Sequence, residues 1–98
     1  MSHEIRVRVR AQKDIEDAAR WYEAQRTDLG GRFLDEIRST FSLIAENPKS
    51  YPEIYRQTRR AMLQRFPFGV FYRMRGEVVS IIAVMHSSRD PKRWMIRT

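Results

Sequence analysis

Arg59, Arg60, Arg65, Arg73, His86, Arg89 and Arg93 crowd the second half of the chain, and they are the side chains with most to offer chemically. A guanidinium is a planar, permanently charged fork of donors that matches the oxygens of a phosphate or carboxylate. It binds anions well and exchanges protons poorly. His86 is the one neighbour whose ordinary titration falls near neutral pH. Three roles are open to it: proton transfer, a directed hydrogen bond, or a structural contact to the backbone. Interleaved Phe66, Phe68, Phe71, Tyr72 and Trp94 carry rings of the kind that stack on bases, although their placement fits a core better.

The charge is uneven. Nineteen basic residues against twelve acidic ones give a net +7, and lysine occurs only at positions 13, 49 and 92. Residues 1–54 hold nine basic and ten acidic groups, whereas residues 55–98 hold ten basic groups and only Glu77 and Asp90 against them. The second half is therefore a cationic surface for an anionic partner, or else a scattered basic face with no specific ligand.

Several chemistries are excluded. The chain has no cysteine, so thiol catalysis, a disulfide framework and a Cys-based zinc site are out. It has no Gly-rich phosphate loop and no His-Glu-x-x-His pair. Asp14, Glu16 and Asp17 lie on a polar helical face without a histidine, which reads as a solvated face, and no metal or cofactor is expected. The acidic groups sit mainly on helices away from the basic residues, a poor arrangement for paired-carboxylate hydrolysis. His3 reads as a mobile terminal residue.

The elements that must position these groups follow from periodicity. At 98 residues and 42% hydrophobic content, the chain suits one folded domain over residues 1–98. Its longest apolar run, Ile81 to Met85, is far short of a membrane span, and the N-terminus lacks an apolar signal region. With the absence of cysteine, this points to a cytoplasmic protein with no membrane partner. Period-two alternation predicts a strand over Ile5–Arg10, with Ile5, Val7 and Val9 on one face. A helix follows from Ala11 to about Arg26, with Ala11, Ile15, Ala18, Ala19 and Tyr22 on its apolar stripe. Trp21 lies on the flank of that stripe, either packed at the core margin or exposed for docking. Gly30-Gly31 reads as a helix-ending cap, and Asp28 as the cap of a second helix running to about Glu46. Phe33, Leu34, Ile37, Phe41, Ile44 and Ala45 form its apolar face, and Asn47-Pro48 ends it. Strands are predicted at Arg59–Arg65, Val70–Met74 and Val78–Met85, the last two joined by a tight turn at Arg75-Gly76. The order β-α-α-β-β-β describes an α+β fold, an antiparallel helical hairpin packed on a small curled antiparallel sheet. Neighbouring strands would let guanidinium groups on one face converge, but Arg60 and Arg65 share a face only if a bulge or bend intervenes.

In order along the chain, Trp21-Tyr22-Glu23, Leu29-Gly30-Gly31-Arg32-Phe33-Leu34 and Asn47-Pro48 resemble the helical half of the RelE/ParE toxin superfamily. Arg59-Arg60, Arg65-Phe66-Pro67-Phe68, Val70 and Tyr72 are similar to its central strands. His86-Ser87-Ser88-Arg89-Asp90-Pro91 with Trp94 resembles the closing segment of its ParE-like, plasmid-stabilisation members. The resemblance spans about residues 5–94.

It implies the toxin of a type II toxin–antitoxin pair, neutralised by a cognate ParD-like or RelB-like antitoxin, and the flank position of Trp21 makes it the expected antitoxin contact. ParE-like members poison DNA gyrase, and RelE-like members cut mRNA on the ribosome without metal. The RelE-type reaction needs an acid, a base and cations at the scissile phosphate. RelE-like members carry a lysine-rich site, and this chain has no lysine between residues 50 and 91. The departure favours a non-enzymatic gyrase inhibitor, with Arg60, Arg65, Arg73 and Arg89 on anionic groups of the target and His86 giving a directed hydrogen bond. The alternative is an endoribonuclease using His86 as acid/base, with Glu53 or Tyr72 as partner. A nucleic-acid-binding domain without toxicity is a third possibility.

Overall fold

The computed structural model describes residues 2–98. A short strand β1 (Glu4–Val7) passes almost at once into helix α1 (Val9–Gln25), and a tight turn leads to α2 (Leu29–Glu46). After a single 3-10 turn at Pro48–Ser50 come β2 (Glu53–Tyr55), β3 (Thr58–Met62), β4 (Phe68–Arg75), β5 (Val78–His86) and a last helix, α3 (Lys92–Met95). The strands form one sheet in the order β1-β5-β4-β3-β2. The expected helical hairpin on a sheet is present. Three features extend that outline: β1 pairs parallel to β5, β2 adds a short edge strand, and α3 packs on the face away from the hairpin. Parallel pairing demands a long crossover, which the hairpin and the antiparallel strands between β1 and β5 provide.

The hairpin buries the predicted stripes. Ala11 and Ile15 of α1 and Phe33, Ile37, Ile44 and Ala45 of α2 are buried, while Leu34 and Phe41 are only partly covered. Each fully buried Ile or Phe contributes about 1.5–3 kcal/mol. The helices touch closely at Gly30. A Cβ there would sit 2.5 Å from the Ala19 carbonyl oxygen, so this glycine serves helix contact and lies inside α2. The expected Gly30-Gly31 cap of α1 is thus corrected. So is the Asp28 cap: Asp28 turns the chain in the left-handed region (φ 73°), and its side chain caps nothing. Glu23 of α1 does that work instead, accepting the Asp28 and Gly30 N–H groups, each at 3.0 Å. An anionic group at a helix N-terminus also suits the helix dipole.

Three strand boundaries move for physical reasons. Val9 is 87% exposed and helical, not part of a buried strand face. The parallel ladder ends with the Arg8 N–H on the Ile81 carbonyl as α1 begins at Val9, and on the β4 side Ile82 bulges out of register opposite the Phe71–Tyr72 step. β3 ends at Met62 rather than Arg65, since the Leu63 N–H closes a turn on the Phe68 carbonyl at 2.9 Å. Glu36 of α2 then accepts the N–H groups of Gln64 and Arg65. The β4–β5 turn falls on Gly76-Glu77, with Gly76 at φ 60° supplying the left-handed residue.

Two apolar clusters flank the sheet. On the hairpin side, Ala61, Val70, Tyr72, Val79, Ile81 and Val84 meet the helix stripes. On the opposite face, Phe71, Ile82, Ala83 and Met85 are covered by Trp94, which stacks on Phe71 at 4.6 Å between ring centroids. β5 is therefore buried on both faces, as its apolar run predicts.

His3 is not mobile: its N–H and its Nδ1 both reach the Ala45 carbonyl at the end of α2. Asp14 does not lie on a solvated face. One oxygen accepts the Val84 N–H at 3.0 Å, where β1 no longer covers the edge of β5. The same carboxylate holds Arg97 at 2.6 Å and 3.2 Å, and both side chains are largely buried.

Candidate functional site

Cross-strand partners point to the same face, so register assigns each arginine. Arg60 opposes Phe71 and so lies on the face away from the hairpin, its stem 3.2 Å from where a Cβ on Gly69 would sit. Arg73 opposes Ser80 further along that face. Arg73 donates to the Thr98 carbonyl at 3.3 Å and to Gln57 Oε1 at 3.4 Å. Arg8 bonds Ser80 Oγ at 3.0 Å and the Arg97 carbonyl at 3.4 Å. Burial, with the charges of Arg75 and Arg73, pulls the Arg8 pKa below its ordinary value. A guanidinium nonetheless stays charged.

His86 is elsewhere. It opposes Phe68, which belongs to the hairpin-side cluster, and its ring stands edge-on to Phe68 at 5.4 Å. Phe68 contacts Tyr22, and Tyr22 meets Trp21 at 5.1 Å, so an aromatic chain joins His86 to α1. Trp21 is 59% exposed, as docking would require. Arg65 sits in the turn between β3 and β4, and Arg89 in the turn after β5. The Ser87 N–H donates to the Pro67 carbonyl at 2.8 Å and ties the two turns together. The predicted set therefore divides: Arg65, His86 and Arg89 belong to the strand end and turns at one end of the sheet, to which Trp21 is linked through Tyr22 and Phe68, while Arg60 and Arg73 occupy the far face. Alternation had already flagged the Arg60–Arg65 split, and the turn after Met62 makes it real.

The sheet end presents hydrogen-bond donors, and neither expected acid–base partner reaches His86. Among the described residues, Arg65 and Arg89 make no side-chain hydrogen bond or ion pair. The two proposed acid–base partners of His86 lie apart from it. Glu53 is on the edge strand β2, accepting the Gln57 N–H at 3.2 Å. Tyr72 is fully buried and donates its hydroxyl to the Pro48 carbonyl, and burial pushes its pKa up to about 12. Among the described residues, no group of three or more His, Asp or Glu side chains is placed to hold a metal ion. No helix there is long and apolar enough to cross a membrane.

Three residues with defined positions had no assigned role in the sequence. Glu36 and Asp14 look like ordinary surface carboxylates in a helical pattern, and nothing local marks them. Ser88 is different: a serine two places after a strand-ending histidine is a readable signal for a side-chain-to-backbone turn.

A two-helix hairpin over a small mixed sheet, with arginines free of side-chain partners in the turns at one end, defines the architecture as α+β. Over residues 5–91 the chain matches the family model of the ParE toxin of the type II toxin–antitoxin system parDE, and it belongs to that family. The fold is shared with a chain of the chromosomal ParDE system of P. aeruginosa, at TM-score 0.71 and 15% identity, covering 87% of this chain and 96% of that one. It is shared too with a chain of the RelBE2 toxin–antitoxin complex of Mycobacterium tuberculosis, at TM-score 0.62 and 17% identity, covering 88% and 99%. No curated protein matches the sequence significantly. The RelE/ParE resemblance and the fold it implied are thus borne out, and the chain is a toxin of the type II toxin–antitoxin class.

Proposed function

We propose that this toxin acts by binding and not by cleavage, with DNA gyrase or the gyrase–DNA complex as its target. The observation that supports this reading is the sheet end itself. Arg65 and Arg89 come from the two turns next to His86, and the carboxylates at those turns, Glu36 and Asp90, are taken up by backbone N–H groups, which leaves a donor surface for an anionic group. Arg60 extends the cationic surface onto the opposite face. Arg73, engaged with the C-terminal residues, contributes field more than contact. Gyrase and the ribosome are both cytoplasmic, so the toxin acts there.

The same reading includes a cognate antitoxin. Trp21 is a large exposed ring beside the cationic end, and residues 55–98 carry a strong excess of positive charge that an acidic segment would neutralise. Induction of this gene alone should arrest growth, and co-expression of the antitoxin should restore it. Trp21→Ala should weaken antitoxin binding by about tenfold or more while leaving the urea midpoint nearly unchanged.

Purified protein, tested side by side in a gyrase supercoiling assay and a ribosome-programmed mRNA cleavage assay, decides the target. Loss of supercoiling without mRNA cleavage is the expected result. Cleavage that His86→Gln reduces by about 10²–10⁴-fold would replace this reading with the endoribonuclease.

A further inference from the structure

We infer that Ser88 is a positioning residue that locks His86 into a single neutral tautomer, with the proton on Nε2, so that His86 meets the target as a hydrogen-bond donor. The Ser88 backbone N–H lies 3.0 Å from His86 Nδ1. A backbone N–H can only donate, so Nδ1 must carry its lone pair toward it. The Ser88 hydroxyl, 2.7 Å from the same nitrogen, can donate there as well. A neutral imidazole carries one proton, and with Nδ1 accepting, that proton is on Nε2. The Phe68 ring, edge-on to the imidazole, restrains its rotation, and the Ser87 N–H bond to Pro67 holds the turn that carries Ser88. Among the described residues Nε2 has no partner.

The lock specifies the kind of group His86 meets. Nε2–H needs an acceptor, and the unpaired guanidinium groups of Arg65 and Arg89 come from the two adjoining turns. All three offer donors only, so the matching group is an oxyanion, a phosphate or a carboxylate. The same lock removes His86 as a ready general base, because Nδ1 is occupied by donors and Nε2 already holds the proton. That assignment rests on the binding reading above for its target, but the tautomer does not depend on which target is correct.

The test has two arms. In the uniformly ¹⁵N-labelled full chain near neutral pH, His86 should show a protonated, pyrrole-type Nε2 and an unprotonated, pyridine-type Nδ1. Ser88→Ala keeps the backbone N–H and should retain this signature. Ser88→Pro removes that N–H and should yield a mixture of tautomers, provided the other amide resonances show the fold intact. A pyrrole-type Nδ1 in the unaltered protein, or no change in Ser88→Pro, overturns the lock. The second arm reads toxicity. Gln places its amide near the Nε2 position and Asn near Nδ1, so His86→Gln should lose no more than about tenfold in potency and His86→Asn distinctly more. Equal loss in the two overturns the donor role. If the tautomer signature holds while gyrase is unaffected, the choice of target fails and the lock stands.

Discussion

Two clusters of arginine sit at opposite places on the same sheet and do different things. Arg8, Arg73 and Arg97 converge toward the C-terminal residues, and each is engaged: by Ser80, by the Arg97 and Thr98 carbonyls, by Gln57, or by Asp14. At the other end, Arg65 and Arg89 project from turns with no side-chain partner among the described residues. The first cluster holds the chain together and the second is free to bind something else. The same side chain thus has unlike roles, and the difference is whether acceptors of the same chain lie within reach. An engaged arginine should reveal itself in stability unless neighbouring positive charge offsets its bonds, and an unengaged one in affinity.

The sharpest test of the contrast is Arg97→Gln. It leaves Asp14 largely buried without its cation, and removing one partner of such a pair should cost about 3 kcal/mol. The urea midpoint should drop with an unchanged slope. A loss below about 0.5 kcal/mol would erase the distinction between the clusters.

Arg65→Gln combined with Arg89→Gln is the mirror experiment. Charge-assisted hydrogen bonds are worth about 1.5–3 kcal/mol each, so target affinity should fall by a hundredfold or more. If the contact is to nucleic-acid phosphate, its salt dependence should flatten, because fewer counterions are displaced. Stability should stay within about 0.5 kcal/mol. The double variant should lose more toxicity than His86→Gln, and the reverse order would favour catalysis over binding.

Tyr72 separates the covered face of the sheet from both clusters. Its pKa is raised from 10.0 in the unfolded chain to about 12, so folding favours the neutral phenol. That contribution is whole below pH 10 and is lost as pH rises toward 12. Tyr72→Phe should cost about 1 kcal/mol near neutrality and should lessen the alkaline fall, leaving the part due to Tyr22, whose pKa burial also raises, as chemical denaturation at pH 7 and pH 11 would show.

The smallest effect is expected at Arg8→Gln. The variant gives up the Ser80 bond and the long one to the Arg97 carbonyl but relieves repulsion from Arg75 and Arg73, and the gains and losses should cancel to within about 0.5 kcal/mol. A loss as large as that of Arg97→Gln would show that the whole cluster acts as one network.

Much of this architecture was legible residue by residue. The stripes through Ile15, Ile37 and Ile44 and the apolar run of β5 each marked a buried surface, because burial of one face imposes a period that a short window displays. Trp21, off its stripe, could have packed at the core margin or stood exposed, and only the packed structure shows it 59% exposed. Arg60 and Arg65 could not be placed so simply, since one turn between them changes which face each shares.

What remained hidden depended on partners distant in the chain. Asp14 reads like any helical carboxylate until Val84 and Arg97 arrive beside it from the other end of the protein. Glu23, not Asp28, caps α2 because the antiparallel hairpin brings its longer side chain back to the amides. Composition and periodicity determine the helical hairpin and the long strands, which of their faces are apolar and how much positive charge the second half carries, whereas β2 and α3 are too short to show a period. Which arginines are left free is settled only when the sheet closes, because engagement requires an acceptor within about 3.5 Å, and that is a property of packing.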